Sequence, residues 1–364
     1  MPDGRGDRII FHVDLDAFYV AVERKEKPSL KGEPVVVGAD PEGGRGRGVV
    51  ITCSYEARKF GLRSGMPISK AYRLCPQAAF VLPDFSLYAK VSAKIMELLK
   101  KYADQVEQSG IDEAFLDVSS KVKDLDEAKE LALKIKDELL SEGFTSSIGI
   151  GPNKSSSKIA SDQNKPSGLT IVPEGKILEF LAPLPISVIP GVGPKTREFL
   201  ENHGVSKIGE LQEISGKQLT QWFGKGGVWL WGVAQGAEEL GVIPRDMPRS
   251  LSVERTFRRD VKDFKFISKI ADELGDELIR RVKLGELRFR TVGIRIRFRG
   301  FETHTREKTL VEYTDGLQEL KTAVKSLLEE FSDTDRFVRL IGVRVSDLIR
   351  EKIETSTLDT WSSG

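Results

Sequence analysis

Three acidic residues carry the chemistry this chain is equipped for: Asp14, Asp112 and Glu113. Asp14 follows an apolar run, Arg8-Ile-Ile-Phe-His-Val13, that reads as a buried strand. Asp112 and Glu113 are expected at the apex of a hairpin, flanked by Ile111, Ala114, Phe115 and Leu116. Carboxylates in such surroundings carry a desolvation cost unless a cation accompanies them, and adjacency adds like-charge repulsion. A divalent cation removes both penalties. Two such ions, about 3.5–4 Å apart, can activate an attacking oxygen and stabilise a leaving one in phosphoryl transfer. Taken singly, each acid also fits a turn or cap residue. Asp16 is expected to cap the following helix, and Asp117 to alternate away from the apex.

Residues suited to phosphate stand elsewhere. Tyr55 and Arg58 are three apart, so they share a helical face, and a guanidinium fork with a phenol hydroxyl matches phosphate oxygens. Gly43-Gly-Arg-Gly-Arg-Gly48 lacks the Gly-Lys-Ser/Thr ending of a phosphate-binding loop and reads as a flexible turn over the pocket. Pro190-Gly-Val-Gly-Pro-Lys195 before a helix resembles a helix-hairpin-helix motif: Gly191 and Gly193 let the backbone approach a phosphate, with Lys195 beside it. In Arg288–Arg299, Arg295, Arg297 and Arg299 alternate with Ile294, Ile296 and Phe298, which puts three guanidinium groups on one strand face about 7 Å apart. They repel one another unless something negative covers them, either a nucleic-acid backbone or neighbouring acidic side chains. Arg249, Arg255 and Arg339 extend this patch.

These residues need a scaffold. The pattern predicts strands at Arg8–Val13, Glu33–Gly38 and Gly48–Cys53, and helices at Phe18–Glu26 and from Ser54 to Phe60, ended by Gly61. A long amphipathic helix, Asp84–Tyr102, presents Leu87, Val91, Ile95, Leu98 and Leu99. Strands Gln105–Ser109 and Ala114–Val118 flank the acidic pair. A helix at Asp126–Glu142, a strand at Thr145–Ile150 and a helix at Asn153–Asp162 follow. Hairpins among the alternating elements argue for a mixed sheet. Past Pro183 the chain turns helical to Gly236, Gly236–Pro248 reads as a linker, and Ser250–Ile349 reads strand, helix, two strands, helix, strand.

The 364 residues suffice for two or more domains. Between Pro248 and Arg350, 23 Lys+Arg oppose 18 Asp+Glu, an excess of five positive charges; with +1 overall, the remainder carries four negative. A basic module suggests a polyanionic partner. No apolar run approaches the roughly 20 residues of a membrane span, and the polar start offers no signal peptide. Two cysteines, Cys53 and Cys75, fit a reducing interior. His12, His203 and His304 lie far apart in sequence, which turns the expectation from zinc to a hard ion on carboxylates.

Asp14-Leu-Asp-Ala-Phe-Tyr19 after a strand, with Ser109-Gly-Ile-Asp-Glu-Ala-Phe-Leu-Asp117 roughly 100 residues later, resembles the Y family of lesion-bypass DNA polymerases, most closely its DNA polymerase IV branch. The resemblance implies an α+β right hand: a ferredoxin-like palm at 1–17 and 77–170, small fingers at 18–76, a helical thumb at 171–236, a linker at 237–248, an α+β little finger at 249–350 and a polar tail at 351–364. It implies that Asp14, Asp112, Glu113 and the Leu15 carbonyl hold two magnesium ions, with manganese able to replace them. Phe18, Tyr19, Thr52, Tyr55, Arg58 and Lys165 would meet the incoming dNTP, Tyr19 as a steric gate against a 2′-OH. Primer–template DNA is the implied partner, on Gly191, Gly193, Lys195, Arg249, Arg295, Arg297, Arg299 and Arg339. Low fidelity, absence of proofreading, a monomeric state and a cytoplasmic, nucleoid-associated location come with it. Gly110 departs from the Ser common in relatives. Thr355–Trp361 is similar to a sliding-clamp peptide, through Leu358 and Trp361. A palm-fold nucleotide cyclase would not need the hairpin motif or the basic strand. A non-catalytic DNA-binding protein would not need the acids together with Tyr55, Arg58 and Lys165.

Overall fold

The first strand, β1 (Ile10–Leu15), runs on through Asp14 instead of stopping before it. Its alternation sets up the whole site: Phe11, Val13 and Leu15 enter a hydrophobic core, while Ile10, His12 and Asp14 face the other way. The computed structural model describes residues 8–238, 241–244 and 247–350. It divides into two units, Met1–Arg245 and Asp246–Gly364.

In the first unit β1 leads to α1 (Phe18–Glu26), β2 (Val35–Gly38), β3 (Val50–Cys53), α2 (Tyr55–Arg58), α3 (Ile68–Leu74) and β4 (Ala79–Val81). Then come α4 (Phe85–Leu99), β5 (Gln105–Gln108), β6 (Glu113–Asp117), α5 (Leu125–Ser141), β7 (Ser146–Gly151), α6 (Lys154–Gln163) and β8 (Leu169–Ile171). A five-stranded sheet has the order β5-β6-β1-β7-β8, antiparallel except where β7 meets β8, the mixed sheet expected. Its core face packs with Tyr88, Ile95 and Leu99 of α4 and Ala128, Ile135 and Leu139 of α5. Each large side chain so buried contributes about 1.5–3 kcal/mol.

The other face is shaped by small residues. Ser147, Gly149 and Gly151 of β7 stand opposite Asp14, His12 and Ile10. A Cβ at Gly149 would collide with the Ser157 carbonyl and the Ser161 nitrogen, so only glycine lets α6 lie this close to the sheet. The approach is fastened by the Ser157 hydroxyl, which donates to the Ile10 carbonyl at 2.8 Å.

The order β3-β2-β4 forms a separate small sheet, with its own core of Val36, Val50, Cys53, Leu62 and Ile68. Ser54 caps α2, accepting from Ala57 N–H, but α2 ends at Arg58 and not Phe60. Asp16 does not cap α1: that position is Ala17, left-handed at φ 46° and without a side-chain cap, because the Asp16 carboxylate is engaged elsewhere. The Gly-rich segment forms a hydrogen-bonded turn. Gly44 and Gly46 N–H groups both bond the Pro41 carbonyl, and a Cβ at Gly46 would strike the Asp40 carbonyl.

Past β8, short helices α7 (Ile177–Leu181), α8 (Pro194–Asn202), α9 (Ile208–Gln212), α10 (Gly216–Phe223) and α11 (Lys225–Ala234) enclose Leu200, Leu211, Leu219 and Leu230. In the second unit β9 (Ser250–Val261), α12 (Phe264–Leu284), β10 (Leu287–Phe298), β11 (Thr303–Thr314), α13 (Leu317–Glu329) and β12 (Val338–Arg350) follow the expected order. Their antiparallel sheet, β11-β10-β12-β9, buries one face with Leu274, Leu278, Val324 and Leu328 of the two helices.

Candidate active site

β1 and β6 set Asp14 directly opposite Glu113 in an antiparallel pair, and Leu15 N–H bonds the Asp112 carbonyl at 2.9 Å. All three predicted acids therefore meet at one end of the sheet. The turn before Glu113 is braced by Ser92, whose hydroxyl donates to the Ile111 carbonyl, and by Gln108, which donates to the Gly110 carbonyl at 2.9 Å. Gly110 has a local reason. A Cβ there would lie 2.9 Å from Glu113 Cγ, so glycine leaves the Glu113 side chain its present position.

Each facing carboxylate already has an ammonium. Lys165 Nζ lies 2.8 Å from Asp14 and 2.7 Å from Asp162; Lys158 is paired with Glu113. His12, fully buried, brings Nε2 to 3.3 Å from Glu113 Oε2 and Nδ1 to 2.8 Å from the Ser161 hydroxyl. Burial pushes Asp14 up to about 6 despite Lys165, and burial followed by the Glu113 charge raises Asp112. The hydrogen bond to His12, helped by Lys158, holds Glu113 down to about 2 against its burial. Burial lowers His12, which favours a neutral ring. Ligand atoms of His12, Asp14 and Glu113 fall within 4.8 Å of one another. A donor set this acidic, whose charge two lysines balance, fits a hard divalent cation. Sequence reasoning missed His12 and Lys158.

Tyr19 follows on α1. Its ring lies 4.5 Å from that of Tyr88, which is anchored through its hydroxyl to Glu23 at 2.6 Å. Burial and the nearby Asp112 charge raise the Tyr19 phenol. Phe18 is a core residue, its ring 6.1 Å from Phe144, so only its backbone remains for a nucleotide. Thr52 is buried on β3. On α2 the Arg58 guanidinium stacks over the Tyr55 ring at 4.2 Å, and both Arg58 and Lys165 are within electrostatic reach of the Tyr55 hydroxyl. Lys165 thus stands beside Asp14, with Tyr55 and Arg58 grouped near it.

Residues 13–162 match the model of the impB/mucB/samB family, residues 248–358 its C-terminal domain and residues 174–205 its HHH motif. A protein from Methanoculleus marisnigri named DNA polymerase IV is 44% identical over 359 residues, 98% of this chain and 99% of that one. One of the same name from Clostridioides difficile is 39% identical over 347 residues, 95% of this chain and 94% of that one. A solved Y-family DNA polymerase chimera, Dbh-Dpo4(243-245)-Dbh, superposes with TM-score 0.87 at 31% identity, covering 94% of this chain and all of that one. The chain belongs to the Y family of DNA polymerases. A Y-family insertion ternary complex of Dbh DNA polymerase also matches, with TM-score 0.67 at 30% identity over 94% of this chain and 100% of that one. Neither competing reading, cyclase or non-catalytic binder, finds support in these matches.

The polymerase's expected DNA contacts divide. Gly193 caps α8, Gly191 adopts φ 86° against the Trp229 ring, and Lys195 is exposed, so the Pro190–Lys195 backbone is presented to solvent. Arg249 is exposed, and Arg339 stacks over Phe301 at 4.5 Å. The arginines of β10, and Arg299 just past its end, do alternate with buried residues, yet they are not bare. Arg295 pairs with Glu254 at 2.5 Å, Arg299 with Asp260 at 3.3 Å, and Arg297 donates to the Thr303 hydroxyl at 2.9 Å. Acids of the same sheet thus supply part of the cover expected of a nucleic acid. Glu254 reaches Arg295 from β9 by lying across Gly342 of β12, where a Cβ would meet Glu254 Cγ at 2.7 Å. Glu307 likewise crosses Gly293 to reach Arg344 at 3.1 Å. Arg255 pairs with Glu273 of α12 at 2.7 Å and leaves the patch. Leu358 and Trp361 lie outside the described residues. Among the described residues no helix is long and apolar enough to cross a membrane.

Proposed function

We propose that the chain extends a primer 3′-OH on a DNA template by attack on the α-phosphate of a dNTP, with pyrophosphate leaving, on two magnesium ions. Asp14, Asp112, Glu113 and the Leu15 carbonyl would hold the ions. When bound, they would supply Lewis acidity to the attacking and leaving oxygens. The observation that carries the reading is the register that sets Asp14 against Glu113 with Asp112 adjacent. Lys165, Arg58 and Tyr55 would receive the triphosphate: a guanidinium and an ammonium offset its charge, and the phenol donates a hydrogen bond. Tyr19, braced by Tyr88, would underlie the sugar. A fingers unit of one three-stranded sheet and short helices supports a loose check of base-pair shape, and so low fidelity and lesion tolerance. DNA phosphates would meet the Gly191–Lys195 backbone and the outer face of β10.

The test is primer extension with Mg²⁺ and dNTPs. Glu113→Ala should lower the rate by about 10³-fold or more. Equal extension by both proteins, or none by the parent, would sink the reading. Tyr19→Ala should relax sugar selection by about 10-fold or more, measured as ribonucleotide against deoxynucleotide incorporation; unchanged selectivity rejects the gate.

A further inference from the structure

Asp16 is 5% exposed, and its carboxylate bridges three parts of the fold. Oδ1 accepts from the Ser147 hydroxyl of β7 at 2.9 Å and from the Tyr55 hydroxyl at 3.4 Å. Oδ2 accepts from Ser167 N–H at 2.8 Å, two residues past Lys165. The loop is held from below as well. Lys136 donates to the Ser167 hydroxyl and the Gly168 carbonyl, both at 3.3 Å, and to the Ser146 carbonyl, while Gly168 N–H bonds the Ser147 hydroxyl at 3.3 Å. The Lys136 ammonium offsets part of the cost of burying Asp16.

We propose that Asp16 is the positioning residue of the triphosphate subsite, holding Lys165 and Tyr55 in mutual register without touching the nucleotide. This rests on the reading that Lys165 and Tyr55 bind the triphosphate. Tyr55 has one O–H to give. Before nucleotide arrives it is directed at Asp16, and its longer bond there is the one exchanged for a phosphate oxygen. The shorter bonds to Ser147 and Ser167 persist and keep the Lys165 loop fixed to the palm. A displacement of about 1 Å in such a loop weakens binding through geometry alone.

The test is single-turnover incorporation on a primer–template, with Asp16→Ala, Asp16→Asn, Lys165→Ala and the double variant Asp16→Ala/Lys165→Ala. Asp16→Ala should raise the apparent dNTP Kd about 10-fold, leave the maximal rate within about 3-fold and leave primer–template affinity unchanged. Asp16→Asn should recover most of the loss, because its carbonyl still accepts from Ser167 N–H while the two hydroxyls turn to accept from its amide. The double variant should bind dNTP more tightly than the sum of the two single losses predicts, since much of the effect of Asp16 runs through the Lys165 loop. Additive losses, an unchanged Kd, or a fall in active fraction alone would overturn the role of Asp16 while leaving the Lys165 assignment standing. An unchanged Kd in Lys165→Ala overturns the triphosphate reading, and the proposal with it. Should Asp16→Ala not fold, Ser147→Ala removes one support of the carboxylate and is expected to raise the Kd several-fold; no rise overturns the proposal.

Discussion

Asp14 and Glu113 face each other across two strands with opposite proton affinities, about 6 and about 2. A cation at this site competes with a proton on Asp14 and not on Glu113. Affinity for Mn²⁺ should therefore be flat above pH 6 and fall about tenfold per unit below it, read by calorimetry between pH 5 and 8; a flat profile throughout counts against it. The stability contributions run oppositely. Asp14 binds its proton more tightly folded than unfolded, so its share of metal-free stability is lost as pH rises from 3.8 to about 6. Glu113 is depressed from 4.5, so its share is lost as pH falls toward 2. The acids were readable from sequence because each interrupts an apolar run. His12 was readable too, since period two puts it on the Asp14 face. Nothing local to Lys158 shows that it reaches Glu113, because that depends on α6 docking at Gly149, across the fold.

Elements with several periods of pattern matched their sequence reading: α4, α5 and the long strands of the second unit. β4 and β8 span three residues each and hold too little alternation to be read; pairing with β2 and β7 makes them strands. The arginine stripe of β10 was visible, but its partners were not, because Glu254 comes from a strand two places away in the sheet. The pairing leads to a prediction on DNA affinity. Glu254→Gln frees Arg295 and removes a negative charge, so primer–template DNA should bind several-fold more tightly at low salt, within about 1 kcal/mol. Fluorescence anisotropy decides it; equal or weaker binding shows that the pair does not compete with DNA. Gly342 is what makes the reach possible, a role no composition statistic reveals.

At the scale of the molecule, each unit has its own core among the described residues, with Phe11 and Leu116 in one and Phe289 and Ile341 in the other. A fragment of residues 247–350 should therefore unfold cooperatively alone and bind DNA with an affinity that drops steeply with salt. A broad, non-cooperative melt would show that its core needs the rest of the chain. The lysines on Asp14 and Glu113 carry a consequence for the whole enzyme. On the proposed reading, Lys165 serves either Asp14 or the triphosphate. A nucleotide that draws it away uncovers a ligand for the ion, and an ion that arrives releases the lysine for the nucleotide. By linkage each tightens the other equally. The polymerase then behaves as a coincidence detector: each arrival clears the way for the other, and the two hold more tightly together than either does alone.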